Sequence, residues 1–164
     1  MTERFRVVPA AYVILRRQVG DRDEILLQLR QNTGYRDGFW ATAAAGHVEE
    51  GESVVTAACR EAAEELGVVV EPGDLDALTA MHRTAGNGDP IDERVDFFFQ
   101  CRRWQGEPRL MEPHKSAGIG WFALHELPHP VVPHEAALFR WLADGGPPPV
   151  TSFGFPDSEE PERR

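Results

Sequence analysis

Lysine is nearly missing from this chain: Lys115 is the only one in 164 residues, and Lys and Arg together number 17 against 27 Asp and Glu. The resulting formal charge of −10 excludes the broad basic surface that a nucleic-acid polymer requires of its partner. Cysteine is almost as scarce. Cys59 and Cys101 form no CxxC pair, so a disulfide framework or a thiolate zinc site is not expected, and both thiols are expected to act as small buried hydrophobes. No apolar run approaches the roughly 20 residues of a membrane-spanning helix. The opening residues, Met1-Thr2-Glu3-Arg4-Phe5-Arg6, lack the apolar core of a signal peptide. Together these absences predict a soluble, cytoplasmic protein with no membrane and no nucleic-acid polymer as partner. An acidic chain can still handle phosphorylated small molecules if something positive mediates, and a divalent cation does so.

What is present suffices for one domain, since 41% of the residues are hydrophobic. That domain is expected over residues 1–144. A tail at 145–164, rich in proline, glycine and charge, is expected to be largely flexible, with Phe153-Gly154-Phe155 apolar enough to dock back. Residues 11–15 and 24–30 predict a hairpin across Gly20-Asp21-Arg22-Asp23. Residues 94–103 alternate, with Val95, Phe97, Phe99 and Cys101 opposite Asp96, Phe98 and Gln100. Shorter strands are expected at 78–82 and 119–122. One helix should run over 53–66, from a Ser53 N-cap to Gly67, and another over 134–143 after Pro133. The pattern predicts an α+β fold with a mixed sheet flanked by helices.

The first helix carries an internal conflict. Val55, Ala58, Cys59, Ala62 and Leu66 make an apolar stripe, while Glu61, Glu64 and Glu65 crowd another face near the C-terminal end. Like charges at these spacings repel, and the helix dipole disfavours anions there. Alone, such a cluster is most simply a solvated acidic face. It also suits a hard cation such as Mg²⁺, which prefers carboxylate oxygens and keeps waters that phosphates displace.

The surrounding residues decide between the two. From Gly46 through Glu52, Arg60, Glu61, Glu64, Glu65 and Gly67 to Val68, the segment resembles the complete Nudix box, G-x5-E-x7-R-E-U-x-E-E-x-G-U, with U a bulky aliphatic residue. At about a 10% chance per fixed position, a random match to all seven would occur about once in 10⁵ such chains. The resemblance extends over most of residues 10–143 and implies the Nudix α/β/α sandwich with its mixed sheet.

It further implies Mg²⁺-dependent hydrolysis of a diphosphate linkage in a nucleoside diphosphate derivative, with Mn²⁺ able to substitute. A MutT-like conversion of a nucleoside triphosphate to the monophosphate and pyrophosphate is the first expectation. Glu61, Glu64 and Glu65 correspond to the metal-binding carboxylates, with Glu61 or Glu65 as the base. The Ala45 carbonyl and Glu112 are the further metal-linked groups, with Glu93 and Glu107 as alternative acids to Glu112. Gly46, Gly67 and the Glu52–Arg60 ion pair support the box. Arg30 and Lys115 are expected to meet phosphate, and Tyr35, Trp40 and His134 to contact the rest of the substrate. The other histidines are assigned surface or structural roles.

Two features depart from the family pattern. Ala43-Ala44-Ala45 replaces a proline-containing lead-in to Gly46, and Ala62 is small for its aliphatic position. The alternatives in function are a nucleotide-sensing Nudix domain that does not hydrolyse and a prenyl-diphosphate isomerase. The first would commonly lack box acids, and Cys59 is badly placed for the second. A homodimer stays compatible with the sequence. Recognition beyond the diphosphate is expected from the loops around Tyr35, residues 83–94 and His134.

Overall fold

The structure is a computed structural model and describes residues 2–159 and 161. Strands β1 (Val8–Val19) and β2 (Arg22–Arg30) form the expected hairpin, with Gly20 at φ 62° in the turn. They pair only near that turn, residues 16–19 against 22–25. Beyond it they part, and one continuous segment fills the gap. Within it, β3 (Trp40–Thr42) pairs with β2 and β4 (Ala44–His47) pairs with β1, both antiparallel.

On the other side of β1 lies the parallel strand β6 (Arg94–Cys101), followed by the antiparallel β5 (Leu75–Arg83). The outer edge of β2 takes β7 (Ser116–Ala123). The sheet is therefore mixed, as the periodicity predicted.

Two helices cover opposite faces, and β1 shows why. Its alternate residues Ala11, Val13 and Leu15 pack under helix α1 (Val54–Leu66) with Ala57, Ala58, Ala62 and Leu66. The intervening Ala10, Tyr12 and Ile14 pack under helix α2 (Pro133–Ala143) with Leu138, Phe139 and Leu142. Three alanines on α1 let it lie close to the sheet, which gives the small residue at Ala62 its packing reason. Ser53 caps α1 by accepting the Thr56 N–H, and Gly67 ends it at φ 66° while donating to the Ala63 carbonyl.

The structure differs from expectation at two places. Residues 150–153, assigned to a flexible tail, form strand β8 (Val150–Phe153), which adds to β5 in parallel. Gly145-Gly146 and three successive prolines before it mask a four-residue strand. Residues 40–47, to which the sequence assigned no element, form two strands, too short and too rich in alanine and glycine to show a period. No helix among the described residues is long and apolar enough to cross a membrane.

Candidate active site

Strand β4 delivers the chain to the loop that precedes α1, and Gly46 is where the two meet most closely. A Cβ built there would overlap the Glu61 carboxylate, 2.6 Å from Oε2 and nearer still to Oε1 and Cδ. Glycine at 46 is thus required by the carboxylate and not by a turn. Arg60 fixes the loop. Its Nη2 donates to Glu52 Oε1 at 2.6 Å and to the His47 carbonyl at 3.0 Å, and its Nε reaches Glu52 Oε2 at 3.1 Å. Arg60 Nη1 meets Glu61 Oε1 at 2.8 Å and Glu64 Oε2 at 3.1 Å. Hydrogen bonds from Arg60 hold the Glu52 carboxyl below its usual range.

The acids differ in environment. Glu64 is largely exposed. Glu61 is buried, and burial raises its pKa against the pull of Arg60, with Glu64 and Glu112 adding to the rise. Glu65 is pushed up to about 8, first by burial and then by Glu61 and Glu112, while the Ala45 N–H at 3.2 Å favours its ionised form. The loop bearing Glu112 is tied to the end of α1: Arg109 N–H bonds to the Leu66 carbonyl at 3.0 Å and Met111 N–H to the Glu65 carbonyl at 3.1 Å. These bonds satisfy carbonyls that α1 would otherwise leave open. They also bring Glu112 into one cavity of about 350 Å³ with Glu65, Ala45, Arg30 and Lys115. Lys115 Nζ pairs with Glu112 Oε1 at 3.1 Å.

Among the described residues no three acidic, histidine or cysteine side chains already stand at metal-binding distance from one another. Arg60 accounts for part of this, since it engages Glu61 and Glu64 together. The donor set nevertheless fits a hard divalent cation. Burial raises the Glu65 pKa first, and the carboxylates of Glu61 and Glu112 lie near enough to add to the rise, so the groups on offer are hard oxygen donors.

A second cavity, of about 370 Å³, adjoins the first and shares Arg30 and Ala45 with it. Tyr12, Tyr35, Arg83, Arg94, His134 and Glu135 are among its walls. Arg83 Nε donates to Asp96 Oδ2 at 2.6 Å, His134 Nε2 lies 3.7 Å from the same oxygen, and Tyr12 Oη is 3.3 Å from His134 Nε2. Glu135 Oε1 accepts the Thr42 N–H at 2.6 Å. Burial, reinforced by Arg83 and Arg94, lowers the His134 pKa far below its ordinary value, so the ring is neutral. Burial likewise raises the Glu135 carboxyl, against the hydrogen bonds from Thr42. Arg94 Nε and Asp96 Oδ1 are buried 3.8 Å apart without hydrogen-bond partners.

Most of the sequence-predicted residues converge here. Arg30 lines both cavities and is no free strand end: Nε donates to the Tyr35 carbonyl at 2.9 Å, Nη2 to Thr33 Oγ1 at 3.0 Å, and its guanidinium lies 5.4 Å from the Tyr35 ring centroid. His134 is buried in the cavity wall. Glu61 and Glu64 line neither cavity, although Glu61 meets the box loop at Gly46, and Trp40 stands apart altogether. Its ring packs edge-on against Phe122 at 4.8 Å in the core beneath α2, outside the linings of both cavities. Its place in a paired strand directs it inward. Sequence reasoning assigned no role to Tyr12 or Asp96, and it reached Arg83 only as the start of the recognition loop at residues 83–94 and Glu135 only as a neighbour of His134. The signal for Asp96 was present, a charge beside Phe98 on a face that turns out to be buried.

The model of the NUDIX domain matches residues 6–142. The chain belongs to this family. Among similar solved structures is a MutT NUDIX hydrolase from Burkholderia pseudomallei, 32% identical over 77% of this chain and 91% of that one, with a TM-score of 0.65. A MutT protein from Bacillus halodurans is 21% identical, covers 94% of each chain and has a TM-score of 0.68. The NUDIX domain of Shewanella oneidensis NrtR, solved with ADP ribose, is 17% identical over 73% of this chain and 75% of that one, with a TM-score of 0.58. The last two share the fold. With its box intact, this Nudix protein is a diphosphohydrolase of the family, whose members act on nucleoside diphosphate derivatives and generally use divalent metal ions.

Proposed function

We propose that the protein hydrolyses a nucleoside triphosphate to the nucleoside monophosphate and pyrophosphate, with Mg²⁺ as its cation and Mn²⁺ able to replace it. One observation carries this reading: a cavity lined by the carboxylates of Glu65 and Glu112 and the cations Arg30 and Lys115 adjoins an aromatic, hydrogen-bonding cavity and shares Arg30 and Ala45 with it. Such a pair suits a ligand whose diphosphate lies on one side and whose nucleoside lies on the other.

Glu61, Glu64, Glu65, Glu112 and the Ala45 carbonyl are the groups that would hold the cation. When bound, the cation polarises phosphoryl oxygens and lowers the pKa of an attacking water. Arg30 is braced by Thr33 and Tyr35 and offers its remaining N–H groups to a phosphate oxygen. Lys115 adds a second positive charge beside Glu112. Glu65 is the general base on this reading, because it lines the cavity with Ala45, Arg30 and Glu112, and a bound cation would favour the ionised carboxylate that can take a proton from water. Tyr35 and Tyr12 border the nucleoside side, where His134, Glu135 and Arg83 supply polar contacts.

The test is a panel of nucleoside triphosphates, nucleotide sugars, dinucleotides and ADP-ribose assayed with Mg²⁺ or Mn²⁺ for both phosphate and pyrophosphate. Pyrophosphate with monophosphate from a triphosphate is expected. Turnover confined to nucleotide sugars or dinucleotides, or release of phosphate alone, overturns the proposal.

A further inference from the structure

We propose that β8, which lies beyond the residues matched by the family model, is a positioning element for the nucleoside cavity and acts through Phe153 on His134 and Arg83. The inference rests on the reading of that cavity given above.

The strand is held at several points. Ala80 N–H donates to the Pro149 carbonyl at 3.0 Å and Thr84 N–H to the Phe153 carbonyl at 3.1 Å. The buried hydroxyls of Thr79 and Thr151 lie 3.0 Å apart. Gly154, at φ 85°, passes so near β5 that a Cβ would overlap the Thr84 carbonyl oxygen, and the Phe155 ring then lies 4.6 Å from that of His82. This close approach fixes the register and places Phe153 opposite Arg83.

Phe153 joins the core beneath α2, and its ring meets His134 in a T-shaped contact at 6.2 Å. His134 also packs against Tyr12 and Phe98. An aromatic wall therefore backs the Arg83–Asp96–His134–Tyr12 network of the cavity. Removing the ring admits water beside that network, weakens its polar contacts and frees the imidazole to turn. Glu61 and Glu65 project from α1 on the opposite face of the sheet. A defect at Phe153 should therefore weaken nucleotide binding and spare the chemical step.

Steady-state kinetics of the full chain, with Mg²⁺ and the nucleoside triphosphate that the wild type turns over best, separate these effects. Phe153→Ala is expected to raise KM about tenfold and leave kcat within about twofold. Phe153→Tyr, which keeps the ring, should restore KM to within about twofold, and Phe153→Leu should raise it about threefold. Thermal unfolding of each variant is measured alongside, with kinetics well below its transition. A lowered transition temperature with unchanged KM overturns the proposal, as does a fall in kcat without a change in KM. Should Phe153→Ala not fold, an unchanged KM in Phe153→Leu overturns it. If the wild type turns over none of the nucleotides, the reading of the site fails. If it does and the KM values do not move, this inference alone fails.

Discussion

Gly46→Ala isolates the contact between the box loop and its helix. The added methyl would sit 2.6 Å from Glu61 Oε2 and closer to Oε1 and Cδ, well inside ordinary contact distance. No left-handed backbone is involved at this glycine, so the penalty is entirely steric. Relief requires the Glu61 carboxylate to swing away, which breaks its 2.8 Å bond to Arg60. Overpacking of this kind costs about 1–3 kcal/mol. Moving the carboxylate should also lower kcat/KM at least about a hundredfold, equivalent to about 2.7 kcal/mol of lost transition-state stabilisation.

A double-mutant cycle with Glu61→Ala tests the cause. With the carboxylate gone, Gly46→Ala should cost less than about 0.5 kcal/mol, which leaves a coupling of about 0.5–3 kcal/mol between the two sites. Urea denaturation of the four proteins measures the stability terms, and steady-state assays measure the activity. Equal stability costs in both backgrounds, or wild-type turnover in Gly46→Ala, would refute the reasoning.

Glu65→Gln should unfold within about 1 kcal/mol of the wild type in urea near pH 4.5, where the native carboxyl is protonated, and lose about three or more orders of magnitude in kcat; turnover near wild type would count against the assignment of Glu65. The pH dependence has a defined sign. The Glu65 pKa rises from 4.5 to about 8 in the folded protein, so the cation-free native state binds the extra proton. Its contribution to stability is present below about pH 4.5 and is lost as pH rises towards about 8. Mg²⁺ should offset the loss, so the Mg²⁺-induced thermal shift should grow between pH 6 and about 8; a flat profile refutes the shift at Glu65. Trp40→Ala should destabilise the protein by about 2–4 kcal/mol in urea through lost packing and leave KM near wild type at a temperature where it is folded; a large rise in KM would return Trp40 to the substrate site.

The legible parts of this protein are those whose local chemistry repeats or conflicts. Helix α1 was readable from its cap, its stripe and its terminal glycine, whereas its three crowded glutamates alone read as a solvated face as much as a cation site, and the family likeness decided between the two. β1, β2 and β6 were readable from alternation, although their ends were not. The nucleoside cavity was much less visible. Tyr12, Arg83, Asp96 and Glu135 come from three strands and a helix far apart in sequence, and only the pairing of β1 with β6 and of β6 with β5 assembles them. Trp40 illustrates the converse, since its neighbours look like a loop while pairing with β2 commits its ring to the core. β8 escaped notice because proline and glycine dominate its approach.

The segment from β3 to β4 closes the gap between two parting strands, and it also works as a ruler. Thr42 gives its amide to Glu135, which comes from the helix on one face of the sheet. Ala45, three residues on, gives its amide to Glu65, which comes from the helix on the other face. With the chain bending at Ala43, these three residues reach at most about 10 Å. On the proposed reading, the separation between the acid beside the nucleoside and the acid beside the diphosphate is therefore bounded by one short stretch of backbone, stitched to neighbours along both sides. A ligand with a different spacer between those two ends would fit one acid only by missing the other.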